Sequence, residues 1–284
     1  MRFFSSVSGL LAPLLPLLLP IAAHPQNLTA GSANYSVYQG DKVVGSSDYN
    51  IQPASNGYTV TSHGKLNLTK FSYSFTNTQH LDGNRNLVSD QLTGTVNGNA
   101  VTFTVTSDPT GRQFQISISA NGKQTQNTVD RHQHLVLLPD LDPAAYMLLT
   151  RAVMDNPPSS WILIPKQDGI LVPSTITRGT SVHGRLNGSL MDVQHATVSM
   201  NSENPINVDL FYTSDGSVLE ADLAQQNFFV VRDGFKLVDR PKPSAPANPP
   251  PSNQQPPQQS NPDPNGSAPQ YPAPQRGYPQ MKQQ

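Results

Sequence analysis

The sequence predicts a mainly β protein, a curved antiparallel meander or open barrel of about a dozen strands with one α-helix packed on it. Three observations predict it. Apolar residues alternate with polar ones at period two through much of residues 34–238. Asn-Gly and Asp-Gly dipeptides punctuate these runs at short intervals, as hairpin turns do. A single capped helical pattern interrupts them midway.

In chain order, the first element is a leader. Arg2 supplies a positive start, Leu10 to Ile21 form an apolar stretch broken by prolines, and Ala22-Ala23 offer small residues for cleavage. Residues 1–23 are therefore expected to be a signal peptide, with the mature chain secreted or periplasmic. The apolar run falls short of the ~20 residues of a spanning helix, so no integral membrane segment is expected after cleavage.

Residues 24–238 are expected to form one antiparallel β domain. Phe71, Tyr73 and Phe75 alternate with Ser72, Ser74 and Thr76; Val101, Phe103 and Val105 alternate with threonines. Phe114, Ile116 and Ile118 continue the habit, as do Ile206, Val208, Leu210 and Tyr212. Each run gives a strand one packed face and one wet face. Asn97-Gly98 and Asn121-Gly122 are strong type I′ dipeptides, because both central residues must take positive φ. Asn56-Gly57, Asp82-Gly83, Asp168-Gly169, Asn187-Gly188, Asp215-Gly216 and Asp233-Gly234 are expected to serve similarly.

The helix is expected over 142–154. Asp142 is the N-cap, Pro143 takes the first helical position, Ala145, Leu148, Leu149 and Ala152 form an apolar stripe, and Asn156-Pro157-Pro158 stops it. The stripe is expected to bury against the concave side of the sheet.

From Asp239 to Gln284 the composition changes. About half of the 27 prolines lie there with Gln, Asn and Ser, and such a segment cannot bury enough apolar area to offset its ordering entropy. A disordered Pro/Gln-rich tail over 239–284 is expected.

Composition excludes several functions. With no cysteine there are no disulfides, thiolate metal sites, cysteine nucleophile or lipobox anchor. Net charge is −1 with 13% charged residues, far from the basic footprint of a nucleic-acid binder. No Gly-x-Ser-x-Gly elbow, Walker A loop or dinucleotide fingerprint is present. The only glutamates are Glu203 and Glu220, and the aspartates sit mainly at turn positions. No catalytic residue and no cofactor is assigned. Asp130-Arg131-His132-Gln133-His134 is half a metal site: on a strand end His132 and His134 would share a face, but spacing fixes no third ligand. Gly179 and Gly184 read as turn glycines. Trp161, opening an apolar run, suits either the core or the mouth of a ligand site.

The strand pair Tyr35-Ser-Val-Tyr-Gln-Gly-Asp-Lys-Val-Val-Gly45, the Asp215-Gly216-Ser-Val-Leu219 hairpin and Val230-Val231-Arg232 resemble an uncharacterised group of exported bacterial β proteins. That group is similar in outline to the LolA/LolB-type lipoprotein carriers, whose curved sheet wraps helical cover around an apolar cavity. The resemblance implies a non-enzymatic binding or carrier module of the cell envelope for an apolar ligand. Phe71, Tyr73, Phe75, Phe103, Leu148 and Trp161 are its candidate lining residues. Two alternatives stand beside it: a structural or interaction protein tethered to an envelope component by the tail, and a secreted hydrolase with convergent Asp, His and Arg side chains.

Overall fold

The alternating runs become seventeen strands in the computed structural model, which describes residues 28–157, 159–165, 169–202 and 205–241. The expected leader and the chain beyond 241 lie outside the described residues. Before the helix come β1 (Gly31–Gln39), β2 (Lys42–Ala54), β3 (Gly57–Leu68), β4 (Phe71–Asp82), β5 (Leu87–Val96), β6 (Asn99–Ser107), β7 (Gln113–Ala120), β8 (Lys123–Asp130) and β9 (Leu135–Leu137). Helix α1 spans Pro143–Asp155. After it come β10 (Ser160–Ile164), β11 (Ile170–Arg178), β12 (Val182–Leu186), β13 (Ser189–Met200), β14 (Ile206–Tyr212), β15 (Val218–Leu223), β16 (Phe228–Arg232) and β17 (Phe235–Leu237). Two of the strands beyond the expected dozen, β9 and β17, have only three residues each, too few to show alternation.

Strands β1 to β8 pair consecutively as an antiparallel meander. The sheet continues from β1 through β16, β15, β14, β13, β11 and β10 to β9. Its end strands, β8 and β9, are not paired with each other, so the sheet curves without closing. The β9–β10 pair is parallel, which the sequence reading did not expect. Parallel neighbours need a crossover, and α1 is that crossover.

Strand β13 belongs to two ladders. Residues 196–200 pair with β11, whereas residues 189–193 pair with β12, which also pairs with β17. These short strands cover a small second core of Val193, Phe211, Leu219 and Phe235 on the outer face. Gly184 is thus a mid-strand residue rather than a turn glycine: a Cβ there would come within 2.5 Å of the Phe235 ring.

Three of the Asn-Gly pairs, at 97–98, 121–122 and 187–188, carry positive φ at both residues. At 215–216 and 233–234 only the glycine does, and at 82–83 neither, so these are turns of other types. There Asp82 instead uses its carboxylate to accept from the Asn84 and Asn86 amides.

The expected helix forms. Asp142 accepts from the Ala144 amide, and Asn156 closes the C-terminus in the left-handed region. It is not a one-sided helix, however: every residue from Pro143 to Val153 is buried, including Thr150 and Arg151. Strands β2, β3, β9, β14 and β15 contact α1, so the curl of the sheet surrounds it. The Asp142 cap is fully buried, and its Oδ2 also accepts from Ser62 Oγ at 2.9 Å and Asn77 Nδ2 at 3.2 Å. One carboxyl therefore ties the helix start to β3 and β4.

Gly64 faces Phe75 across β3 and β4, and a Cβ there would lie 2.2 Å from the ring. The aromatic ring covers the bare backbone. Gly64→Val is expected to displace Phe75 and cost about 1–3 kcal/mol by overpacking, read as a lower urea midpoint at unchanged slope.

Candidate functional site

The side chains of Glu220 and Asp222 lie two residues apart on β15 and so share one face of the strand. That face is the outer one, away from α1. A register shift between Phe211 and Tyr212, where β14 meets β15, adjusts which side chains emerge beside them. Two cross-strand rows result. Thr197, Asp209, Asp222 and Phe229 form one, and His195, Phe211, Glu220 and Val231 the next.

Glu220 and Asp222 are 2% and 5% exposed, an unusual depth for carboxylates. Arg240, just past the last strand, donates Nη2 to Glu220 and Nη1 to Asp222. Its guanidinium also lies over the Phe229 ring, 5.3 Å from the centroid. Burial, then the charge of Glu220, push the Asp222 carboxyl well above the usual range; Arg240 opposes them. Burial alone would lower Arg240, but the two carboxylates hold it above the ordinary arginine value.

Beside the pair, His195 Nε2 lies 3.3 Å from Asp209, whose carboxylate also accepts from the Thr197 hydroxyl at 2.5 Å. Burial would raise Asp209, yet these two bonds and the nearby positive charge bring it below the usual range. The His195 ring stacks on Phe211 at 4.8 Å. Gly179 leaves it room, since a Cβ at that position would approach Nδ1 to 2.2 Å.

Two clefts flank Arg240. One of about 450 Å³ is bounded by Tyr38, Asp41, Phe229, Phe235 and Lys236 as well as Glu220 and Arg240. The other, about 120 Å³, is bounded by His195, Asp209, Phe211, Asp222, Phe229 and Pro241. The arrangement can hold one positively charged planar group against aromatic rings.

The sequence reading passed over this cluster. Two carboxyls at i and i+2 between Leu219, Ala221 and Leu223 read as the wet face of an ordinary amphipathic strand, so nothing local marks them as buried. Asp209 and His195 come from other strands, and no spacing announces them.

The residues singled out from sequence lie elsewhere. Phe75, Phe103 and Leu148 are in the main core, Tyr73 is packed at its margin and stacks on Phe75 at 5.4 Å, and Phe71 is 38% exposed at a strand end. Trp161 is half-buried and stacks on His132 at 4.0 Å. The two histidines do not share a strand face, because β9 starts only at Leu135 and His134 sits at positive φ. His132 goes to Trp161, whereas His134 borders a cavity of about 30 Å³ that Leu148 also lines. Among the described residues no three His, Asp or Glu side chains gather as a metal site, and no helix is long and apolar enough to cross a membrane.

No protein-family model matches the chain, and no curated protein matches its sequence. Among solved structures it is similar to a β-barrel-like protein of the domain of unknown function DUF1849 from Brucella abortus. The TM-score is 0.50 at 10% identity, over 75% of this chain and 99% of that one. This likeness shows the fold alone. Weaker likenesses are to a DUF1089-family protein from Pseudomonas aeruginosa (TM-score 0.39, 11% identity, 61% and 87% of the two chains) and a protein of YmcC-like fold from Bacteroides fragilis (0.28, 7%, 74% and 97%).

Proposed function

We propose that this is an exported, non-enzymatic binding module that takes its ligand on the outer face of the sheet, through a cationic group held by Glu220 and Asp222. One observation carries the reading. A single guanidinium, that of Arg240, bridges two buried carboxylates, lies over an aromatic ring and has a cleft on either side. This is how a guanidinium or ammonium group of a ligand would be recognised. Arg240 stands for it in the free protein and yields when the ligand adds apolar contacts with Phe229, Phe235 and Tyr38. A carrier of the LolA/LolB type would need room between sheet and helix. The buried circumference of α1 favours the outer site over that one.

The test is chemical rescue. Arg240→Ala should lose stability, and millimolar agmatine should restore it saturably while equal ionic strength of sodium chloride does not. Glu220→Gln in the same background should abolish the rescue. Absence of rescue, with no agmatine-induced shift of Phe229 or Val231 amide resonances, would overturn the reading.

A second reading rests on the convergence of Asp209, His195, Asp222 and Arg240 at one cleft, the arrangement a secreted hydrolase with a water nucleophile would use. Two features weigh against it: Asp209 is engaged by His195 and Thr197, and both other carboxyls are engaged by Arg240. Turnover of a chromogenic ester or glycoside that Asp209→Asn abolishes would establish it in place of the binding module.

A further inference from the structure

Arg151 projects from a helix that is buried all round, and its own environment is unusual. The residue is 7% exposed, yet among the described residues it makes no ion pair. Its Nη1 meets only the Met154 sulfur, at 3.9 Å, and its Nε is buried with no hydrogen-bond partner. A sulfur is a weak acceptor, so this guanidinium has given up its hydration for little in return. Burial drives its pKa down, opposed most by the charge of Asp215; Arg85 acts with burial, and Tyr49 and Asp155 act against it.

A second buried donor points the same way. Gln79, on β4, is 1% exposed, and neither atom of its side-chain amide has a partner. Each such atom has given up its bond to water and stays costly unless something polar meets it. Gln79 and Arg151 line one and the same cavity, of about 30 Å³. The other polar walls are Asn84, Asn86, His134 and the ion pair of Arg85 with Asp155, 2.8 Å apart; Leu148 is among the apolar ones. With one arginine offset by Asp155 and the other unpaired, the walls carry an excess of positive charge.

The carbonyls at the end of α1 do not compensate it. Arg178 already donates to the Val153 and Met154 carbonyl oxygens, at 2.7 and 3.2 Å. The carboxylate on the cavity wall, Asp155, is engaged by Arg85, so Arg151 Nε is left without an acceptor that a small anion would supply.

We propose that this cavity, between the side of α1, the end of β4 and the start of β9, binds a small monovalent anion through Arg151 Nε and the Gln79 amide. A free chloride and the carboxylate head of an amphiphile share this chemistry. In the second case the apolar walls at Leu81, Leu135 and Leu148 would face the first carbons of the chain. This site is separate from the outer carboxylate pair and takes ligands of opposite charge, so either assignment can fail without the other.

Thermal unfolding of the full chain tests it, in sodium gluconate with chloride, acetate or decanoate replacing gluconate at constant ionic strength. Saturable upward shifts in Tm are expected with chloride and acetate, or with decanoate alone if the head group belongs to an amphiphile. Arg151→Met and Gln79→Leu should each abolish the shift. Because either variant can disturb the core, a bromide-soaked crystal of the unaltered protein supplies the second reading: an anomalous peak within hydrogen-bond distance of Arg151 Nε is expected. Equal Tm in all four anions together with no bromide peak in the cavity overturns the proposal.

Discussion

Asp142→Ala is expected to be the most destabilising single substitution outside the apolar core, lowering unfolding free energy by about 3–4 kcal/mol. Three losses combine. The helix loses its N-cap, worth about 1 kcal/mol on its own. The buried Asn77 amide and the Ser62 hydroxyl lose the acceptor they share. The hydroxyl can rotate toward another acceptor, but the amide nitrogen is fixed, and an orphaned buried donor costs about 1–3 kcal/mol. For a domain of this length the drop corresponds to a Tm lower by about 10 °C, readable by calorimetry. Asp142→Asn should cost less, because Asn still caps the Ala144 amide and its new NH₂ can donate to the rotatable Ser62 hydroxyl. Near-equal loss in the two variants would mean that the carboxylate charge, not its hydrogen bonds, holds the helix start.

Arg240→Ala is expected to act in a pH-dependent manner. The sign follows from Asp222. Its carboxyl titrates higher in the folded state than in the unfolded chain, so the folded state keeps a proton that the unfolded state releases. Stability from this group therefore falls as pH rises above the ordinary carboxylate value of about 3.9 toward its raised folded value. Arg240 moderates the fall by favouring the ionised form. Without it, two carboxyls buried side by side face increasing pH with no counter-charge. The loss should be small at pH 5 and grow to about 1–3 kcal/mol at pH 8, discounted from the value for a fully buried pair because Arg240 is half exposed. Adding Asp222→Asn to Arg240→Ala should recover most of the loss at pH 8. Urea denaturation at both pH values measures all of this; a loss independent of pH would assign Arg240 a packing role on Phe229 instead.

Much of the fold was legible in local sequence. Period-two runs placed the long strands, Asn-Gly dipeptides placed three hairpins, and Asp142-Pro143 placed the start of α1 to the residue. These signals are local because they report backbone geometry and one-sided burial, which a few neighbouring residues decide. The short strands escaped for the same reason, since Leu135–Leu137 and Phe235–Leu237 are held by partners distant in sequence. The candidate sites escaped more completely. Asp82 and Asp215 serve turns, the role local sequence suggests for aspartate, whereas Asp209 and Asp222 lie inside strands, where nothing local marks them as a cluster.

Local sequence sets the alternation, the turns, the capped helix and the absence of thiol chemistry. Tertiary structure alone decided that the sheet curls around all sides of α1, that Glu220, Asp222 and Asp209 face outward together beneath Arg240, and that Arg151 and Gln79 meet at one small cavity. The physical reason is sequence distance. A strand fixes which of its own residues share a face, but not which strand lies beside it; that choice is made when the whole sheet buries its apolar side at once.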